Sequence, residues 1–359
     1  MNNDIYLKLA DVLGSLPNGF PRSQSGVEIE LLKKIFEPDE AALFCMLKLR
    51  KETAREIAER TGMDEAELAT RLAAMWGRGL ADCDPSGPER RYGLVPWILG
   101  LYELQNKRID EEFARLHAKY IKSVGPYFLA PHPHMMQVLP IEKELVPGNN
   151  PTPYEQVSAI VAQSQSFAVN DCMCKKQMTF LKKPCEKPRE VCLAVSDKPE
   201  YFKDHPLVKR IITREEALEI LKKSEDAGLV HMTTNTRHGQ FFICNCCGCC
   251  CVQLMAARFG LPDTVNAHYY AQIDESLCKN CGTCSEKRCP IKAIDAVENA
   301  RRVNRARCIG CGLCASACTE KAISLVRKEA SAQVEPPEDE MDWYRAKARA
   351  QGLDISRYE

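Results

Sequence analysis

Eight cysteines between Cys278 and Cys318 form two Cys-x-x-Cys-x-x-Cys runs, each followed by a fourth cysteine: Cys278, Cys281, Cys284 and Cys289, then Cys308, Cys311, Cys314 and Cys318. With a two-residue gap the backbone loops around an inorganic core and each thiolate takes a different iron. Amides between the ligands can then point at the sulfurs and stabilise added negative charge. The chemistry this spacing points to is low-potential electron transfer on two cubane iron–sulfur clusters. The runs are also an internal repeat: the first three cysteines recur at an offset of 30, and Pro290-Ile291-Lys292-Ala293-Ile294 mirrors Thr319-Glu320-Lys321-Ala322-Ile323. Zinc knuckles use Cys-x-x-Cys pairs too, but zinc takes four ligands at one site and not a tight triplet with a distant fourth.

The two runs resemble the bacterial two-cluster [4Fe-4S] ferredoxins over residues 271–328, from Ala271-Gln272-Ile273 through Ala322-Ile323-Ser324. The resemblance implies the two-cluster ferredoxin fold, in which the fourth cysteine of each run ligates the other run's cluster. Carried across, one cluster takes Cys278, Cys281, Cys284 and Cys318, and the other takes Cys308, Cys311, Cys314 and Cys289. This chain departs from the family twice: four residues precede Cys289 where three are usual, and Thr319 stands where proline is usual. Neither departure removes a ligand.

Ten more thiols lie upstream: Cys172, Cys174, Cys185 and Cys192, then Cys244, Cys246, Cys247, Cys249, Cys250 and Cys251. Six cysteines within eight residues would oxidise or bind metal if left free beside one another. Between the two groups, Thr213 to Glu216 has the form of a capping box opening a helix through Leu221 that Gly228 ends. Strands at 229–232 and 241–243 follow, the second delivering Cys244 to a buried site. The expectation is a cysteine-rich α/β module over 152–270 holding one or two further clusters. The pattern Cys-x-Cys followed by Cys-Asn-Cys-Cys-Gly-Cys-Cys resembles multi-cluster ferredoxin-like proteins of anaerobic bacteria. Its Cys-Cys-Gly element is also similar, locally, to heterodisulfide-reductase-type modules.

Around this chemistry the chain divides further. Residues 1–120 carry only Cys45 and Cys83. Helical periodicity at 41–47, 52–58 and 63–76, followed by a hairpin about the Asp84–Pro88 turn, resembles a winged helix-turn-helix. Its candidate recognition helix opens on Asp64, Glu65 and Glu67, which disfavours nucleic acid and favours protein docking. Residues 121–151 read as a proline-rich linker containing Pro126, Pro131, Pro133, Pro140, Pro147 and Pro151, with His132 and His134 as a metal-binding alternative; His231 and His238 are candidates to tune a cluster. Residues 329–359 read as a charged tail ending in a docking helix around Trp343. The fold class expected is therefore α+β and multidomain.

With 49 basic and 49 acidic residues the net charge is zero, no apolar run is long enough to span a membrane, and the start lacks a secretion signal. Twenty cysteines then point to metal ligands in a reducing cytoplasm, as in an anaerobe. No Gly-x-Gly-x-x-Gly, P-loop, radical-SAM or haem motif is present. The sequence thus reads as an electron-transfer component that passes single electrons through three or four [4Fe-4S] clusters to or from a partner oxidoreductase, with homo-oligomerisation open. The alternatives are a reductase with a catalytic upstream cluster and a redox-sensing winged-helix regulator. Lys279, Lys287, Arg288, Arg301, Arg302, Arg305 and Arg307 are the candidates to orient an acidic partner.

Overall fold

The computed structural model describes residues 2–129, 132–146 and 151–359, and Pro131 and Pro147 of the expected linker lie outside the described residues. The N-terminal part is built from α1 (Asn2–Gly14), α2 (Val27–Ile35), α3 (Pro38–Phe44), β1 (Glu52–Thr53), α4 (Ala54–Thr61), α5 (Glu65–Gly77), β2 (Asp82–Asp84) and β3 (Arg91–Gly93). The three short strands pair in the order β1-β3-β2. Capping fixes α4 at both ends: the Glu56 amide donates to Thr53 Oγ1, the Thr53 amide donates to the Glu56 carboxylate, and Gly62 closes the helix at φ 73°. Leu31, Phe44, Ile57, Leu68 and Leu72 bury the inner faces of these helices. A helical turn, α6 (Tyr102–Leu104), leads to α7 (Glu111–Leu129).

The middle of the chain supplies β4 (Met136–Leu139), α8 (Val157–Gln163), β5 (Ser166–Asp171), α9 (Met173–Phe180), β6 (Glu190–Ser196), β7 (Arg210–Ile212), α10 (Arg214–Asp226), β8 (Val230–Thr234), β9 (Phe242–Cys246) and α11 (Val252–Arg258). Six strands form one sheet, β4-β8-β9-β6-β5-β7, in which every pairing is antiparallel. The expected α/β character therefore reduces to a mixture of helix and strand. On one face Phe167, Val169, Leu193 and Ile243 pack with Ile160 of α8 and Ile220 and Leu221 of α10. Helix α10 starts where Thr213 Oγ1 accepts the Glu216 amide at 3.2 Å. The return half of the expected capping box is absent because the Glu216 carboxylate pairs with Arg210.

The last part contains β10 (Tyr269–Ile273), β11 (Ile294–Val297), β12 (Ala300–Val303), α12 (Leu313–Ser316), β13 (Ile323–Arg327) and α13 (Glu340–Gln351). Two antiparallel ribbons, β10·β13 and β11·β12, flank the cysteine runs.

Two expectations need correction. The proline-rich stretch is not an irregular linker. Helix α7 runs on to Leu129 because Phe113, Leu116, Tyr120, Val124 and Phe128 continue its buried stripe, and Met136 to Leu139 join the sheet beside β8. Nor does the helix of the tail stand out for a partner, although most of residues 329–340 are exposed. Trp343 and Tyr344 are buried, Trp343 Nε1 donates to the His134 carbonyl at 2.8 Å, and the Tyr358 carbonyl accepts the Leu49 amide at 2.8 Å. The docking helix docks on its own chain.

Candidate metal centre

In the C-terminal runs the backbone repeats along with the cysteines. Asn280 and Gly310 have φ of 52° and 60°, Gly282 and Gly312 have 79° and 84°, and after each fourth cysteine Lys292 and Lys321 have 56° and 52°. Left-handed residues just before and just after the second cysteine bend each run back on itself. The extra residue before Cys289 is absorbed locally: Thr283–Arg288 is a wide π-type turn closed by the Cys289 amide on the Cys284 carbonyl at 2.9 Å, where the second run has α-helical Leu313–Ser316.

These thiols fit a cluster-binding role. Amide N–H groups of Ala271, Asn280 and Ala293 donate to the sulfurs of Cys308, Cys278 and Cys289 at 3.4, 3.4 and 3.1 Å. Ala271, Ile294, Ala315, Ile323 and Leu325 form the apolar core around Cys284 and Cys314. Burial, with Cys289 and Cys308 close by, raises Cys311 to about 12; Cys314 is raised by burial and by Cys311, Cys308 and Cys289. Cys289 thus acts on cysteines of the second run. A buried group of sulfurs of this kind needs metal cations to carry it as thiolates.

The ten upstream thiols separate into two sets. Cys172, Cys174, Cys192, Cys244, Cys246 and Cys251 line a cavity of ≈ 660 Å³ between the sheet and the N-terminal helices. Contacts run from Cys192 to Cys244, Cys244 to Cys246 and Cys246 to Cys251, with Cys172 beside Cys174. The Cys174 thiol holds Cys172 below the usual thiol range, while Cys174, Cys244, Cys246 and Cys251 are raised by their sulfur neighbours and by burial. Cys185, Cys247, Cys249 and Cys250 form the other set, with all four sulfurs within 4.8 Å of one another. Strand geometry makes the division: Cys244 and Cys246 share one face of β9, and Cys247 leaves the strand on the other.

Polar side chains sit between and behind these thiols. Lys175 is buried, its ammonium donating to the carbonyls of Pro188 at 2.7 Å and Asn245 at 3.3 Å, and its charge acts on both Cys172 and Cys247. His231 Nδ1 lies 2.6 Å from Asn245 Oδ1, between two cavity cysteines, so this histidine braces strand β9. His238 is exposed. His132 and His134 each meet Asp263 at 2.9 Å, and the ligand atoms of the three lie within 4.8 Å of one another, close enough to hold a metal ion.

The cavity holds groups that sequence reasoning missed. Tyr102 Oη donates to Gln177 Oε1 at 2.8 Å, the same oxygen lies 2.8 Å from His117 Nδ1, and the two rings stack at 3.9 Å. Burial holds His117 neutral, down to about 3, and its Nε2 has no hydrogen-bond partner among the described residues. Desolvation pushes Glu103 up to about 7 against the hydrogen bond from the Gly100 amide. Neither residue falls in a motif; burial singles each of them out.

Of the seven basic residues around the runs, five are engaged within the chain. Arg288 donates to the carbonyls of Glu225, Asp226 and Leu313, Arg307 donates to those of Arg258 and Ile291, Arg301 and Arg302 pair with Glu286 and Glu275, and Arg305 lies over Tyr270. Of the expected docking set, Lys279 and Lys287 are left.

Residues 270–319 match the family model of the 4Fe-4S dicluster domain. No curated protein and no solved structure matches the chain. The match supports a ferredoxin-like iron–sulfur domain at these residues. Among the described residues no helix is long and apolar enough to cross a membrane.

Proposed function

We propose that this chain is an electron-transfer protein that relays low-potential single electrons through three [4Fe-4S] clusters to or from a partner oxidoreductase in a reducing cytoplasm. The eight cysteines of residues 271–328 would hold two, and four of the six cavity thiols a third. The observation that carries the reading is continuity. Cys246 and Cys251 of the cavity, Leu254 and Ala257 of α11, and Ile291, Ala293 and Ile309 beside the ferredoxin cysteines belong to one apolar core. Such packing excludes water along the route and holds its ends at a fixed separation. Bound there, the clusters would each accept and pass on one electron at a time.

The chain's own residues then tune the route. Amides on Cys278, Cys289 and Cys308 stabilise added negative charge, and buried Lys175 offsets charge at the cavity. The position of Cys289 among Cys308, Cys311 and Cys314 supports ligation across the two runs. The order α3, β1, α4, α5, β2, β3 supports a winged-helix reading of the N-terminal part, and its arginines speak against DNA. Arg90 lies over Trp76 and Arg91 pairs with Glu56. The hairpin instead meets its own chain through Asp84–Lys198 and the Cys83 carbonyl with Tyr201.

A reductive titration followed by paramagnetic resonance tests the relay. Replacing Cys244, Cys246 and Cys251 together by serine leaves three cavity thiols and is expected to remove the third signal while leaving two coupled ferredoxin signals; an unchanged spectrum would refute the cavity cluster. A second reading is favoured by the cavity itself, whose ≈ 660 Å³ lies within the range of small-molecule sites. In it the cavity thiols serve a reductase, with Glu103 exchanging a proton with a bound substrate. Glu103→Gln would then abolish turnover with electron uptake intact, whereas the relay alone predicts no effect on either.

A further inference from the structure

The structure assigns Cys185, Cys247, Cys249 and Cys250 to a separate mononuclear site for one zinc ion, bound by four thiolates with no bridging sulfide. The spacing of the sulfurs decides this. Cys185 Sγ lies 3.8 Å from Cys247 Sγ and 3.6 Å from Cys249 Sγ, Cys249 lies 3.3 Å from Cys247 and 3.6 Å from Cys250, and all four are within 4.8 Å of one another. Four sulfurs at the corners of a tetrahedron with a metal–sulfur bond of about 2.3 Å stand about 3.8 Å apart. A cubane holds its thiolates further apart, because each is bonded to a different iron.

The other cysteines of the chain provide the comparison. Among the described residues, no three of the ferredoxin thiols and no three of the cavity thiols draw together to that distance. One polypeptide therefore contains sulfurs at two spacings, open where clusters are expected and closed at this one place. Soft thiolates in a tetrahedral set of four select zinc or iron; a closed set with no open position is the form of a structural zinc site.

The surroundings give the ion a task. Cys185 comes from the loop after α9, while Cys247, Cys249 and Cys250 come from the loop after β9. A Cβ on Gly248, between two of the ligands, would lie 2.0 Å from the Pro290 carbonyl oxygen, so this loop rests directly on the residue that follows ferredoxin Cys289. The Cys249 amide donates to the Cys247 sulfur, and Lys175 offsets the negative charge of the set. Zinc here would pin two loops of the sheet module against the dicluster domain. It would fix the separation of the electron-carrying sites without taking part in electron transfer.

The test uses the full chain purified anaerobically, with zinc, iron and acid-labile sulfide measured per chain in wild type, Cys185→Ser and Cys249→Ser. Wild type is expected to hold one zinc. Each variant should lose it while keeping its iron and sulfide, and cobalt supplied in place of zinc should give the intense visible bands of tetrahedral tetrathiolate cobalt. Wild-type protein with full iron and no zinc overturns the assignment without any variant having to fold. So does a loss of iron in the variants, with or without sulfide, or zinc retained in both. The iron count stands apart from the zinc count, so the relay and this site can fail separately.

Discussion

Replacing Gly248 by alanine tests the contact on which the arrangement of the metal sites depends. The new Cβ would meet Pro290 O at 2.0 Å, Pro290 C at 2.9 Å and Pro290 Cα at 3.4 Å, all of them backbone atoms. No rotamer change relieves such a contact. The two loops must separate by about 1 Å or more, and overpacking of this kind costs about 3 kcal/mol. Gly248 is not among the glycines with positive φ, so the cost is steric and not conformational. For a chain of 359 residues the loss corresponds to a fall of roughly 4 °C in unfolding temperature. The assay follows the far-ultraviolet helix signal and the iron–sulfur absorbance together, anaerobically and at one scan rate. Gly77→Ala is the control, since nothing lies within 4 Å of its Cβ position and its φ is not positive; it should be neutral or slightly stabilising. Gly248→Ala with wild-type stability and metal content would refute the close seating of the cysteine loop on Cys289-Pro290.

Three further outcomes are expected. Arg288→Ala removes donors from three carbonyls that join α10 to the dicluster domain, and should cost about 2–4 kcal/mol and speed amide exchange at 225–228 relative to wild type. Glu155 is buried, which pushes its carboxyl up, but hydrogen bonds from His268, Thr152 and Arg327 outweigh this and hold it at about 2. Its ionised form therefore contributes roughly 3 kcal/mol that is present above the ordinary carboxyl value and lost as pH falls toward 2, so the stability gap between wild type and Glu155→Gln should narrow from pH 5 downward; a pH-independent gap would contradict it. Stripping the iron with chelator under reducing conditions should expose residues 270–328 to protease and leave 2–129 resistant, because the dicluster core is a small set of apolar residues while the N-terminal helices share a large one.

The ferredoxin-like runs are legible because their cysteines are local, and an offset of 30 needs no knowledge of the fold. The upstream thiols read from sequence as candidate metal ligands, but not as two separate groups. Cys185 and Cys192 are seven residues apart, yet the turn into β6 sends them to different groups, and that depends on which strands pair. One signal was available: alternation along β9 places Cys244 and Cys246 on one face and frees Cys247 for the other. Prolines at 126–151 suggested a linker because local propensity argues for breaks, whereas burial of Met136 to Leu139 on both sides of the sheet overrides it. Trp343 gave notice of a docking helix, but the surface it meets, the His134 carbonyl, is brought close by the fold alone. Glu103 and His117 acquire chemical interest from burial, which no spacing announces.

A relay through three clusters is decided by the iron and acid-labile sulfide held per chain of anaerobically purified protein. The account predicts about twelve irons and about twelve sulfides, with three interacting low-potential signals on reduction. About eight irons would leave the cavity thiols without a cluster, and about sixteen would place a cubane where the four close sulfurs stand; either result would contradict it.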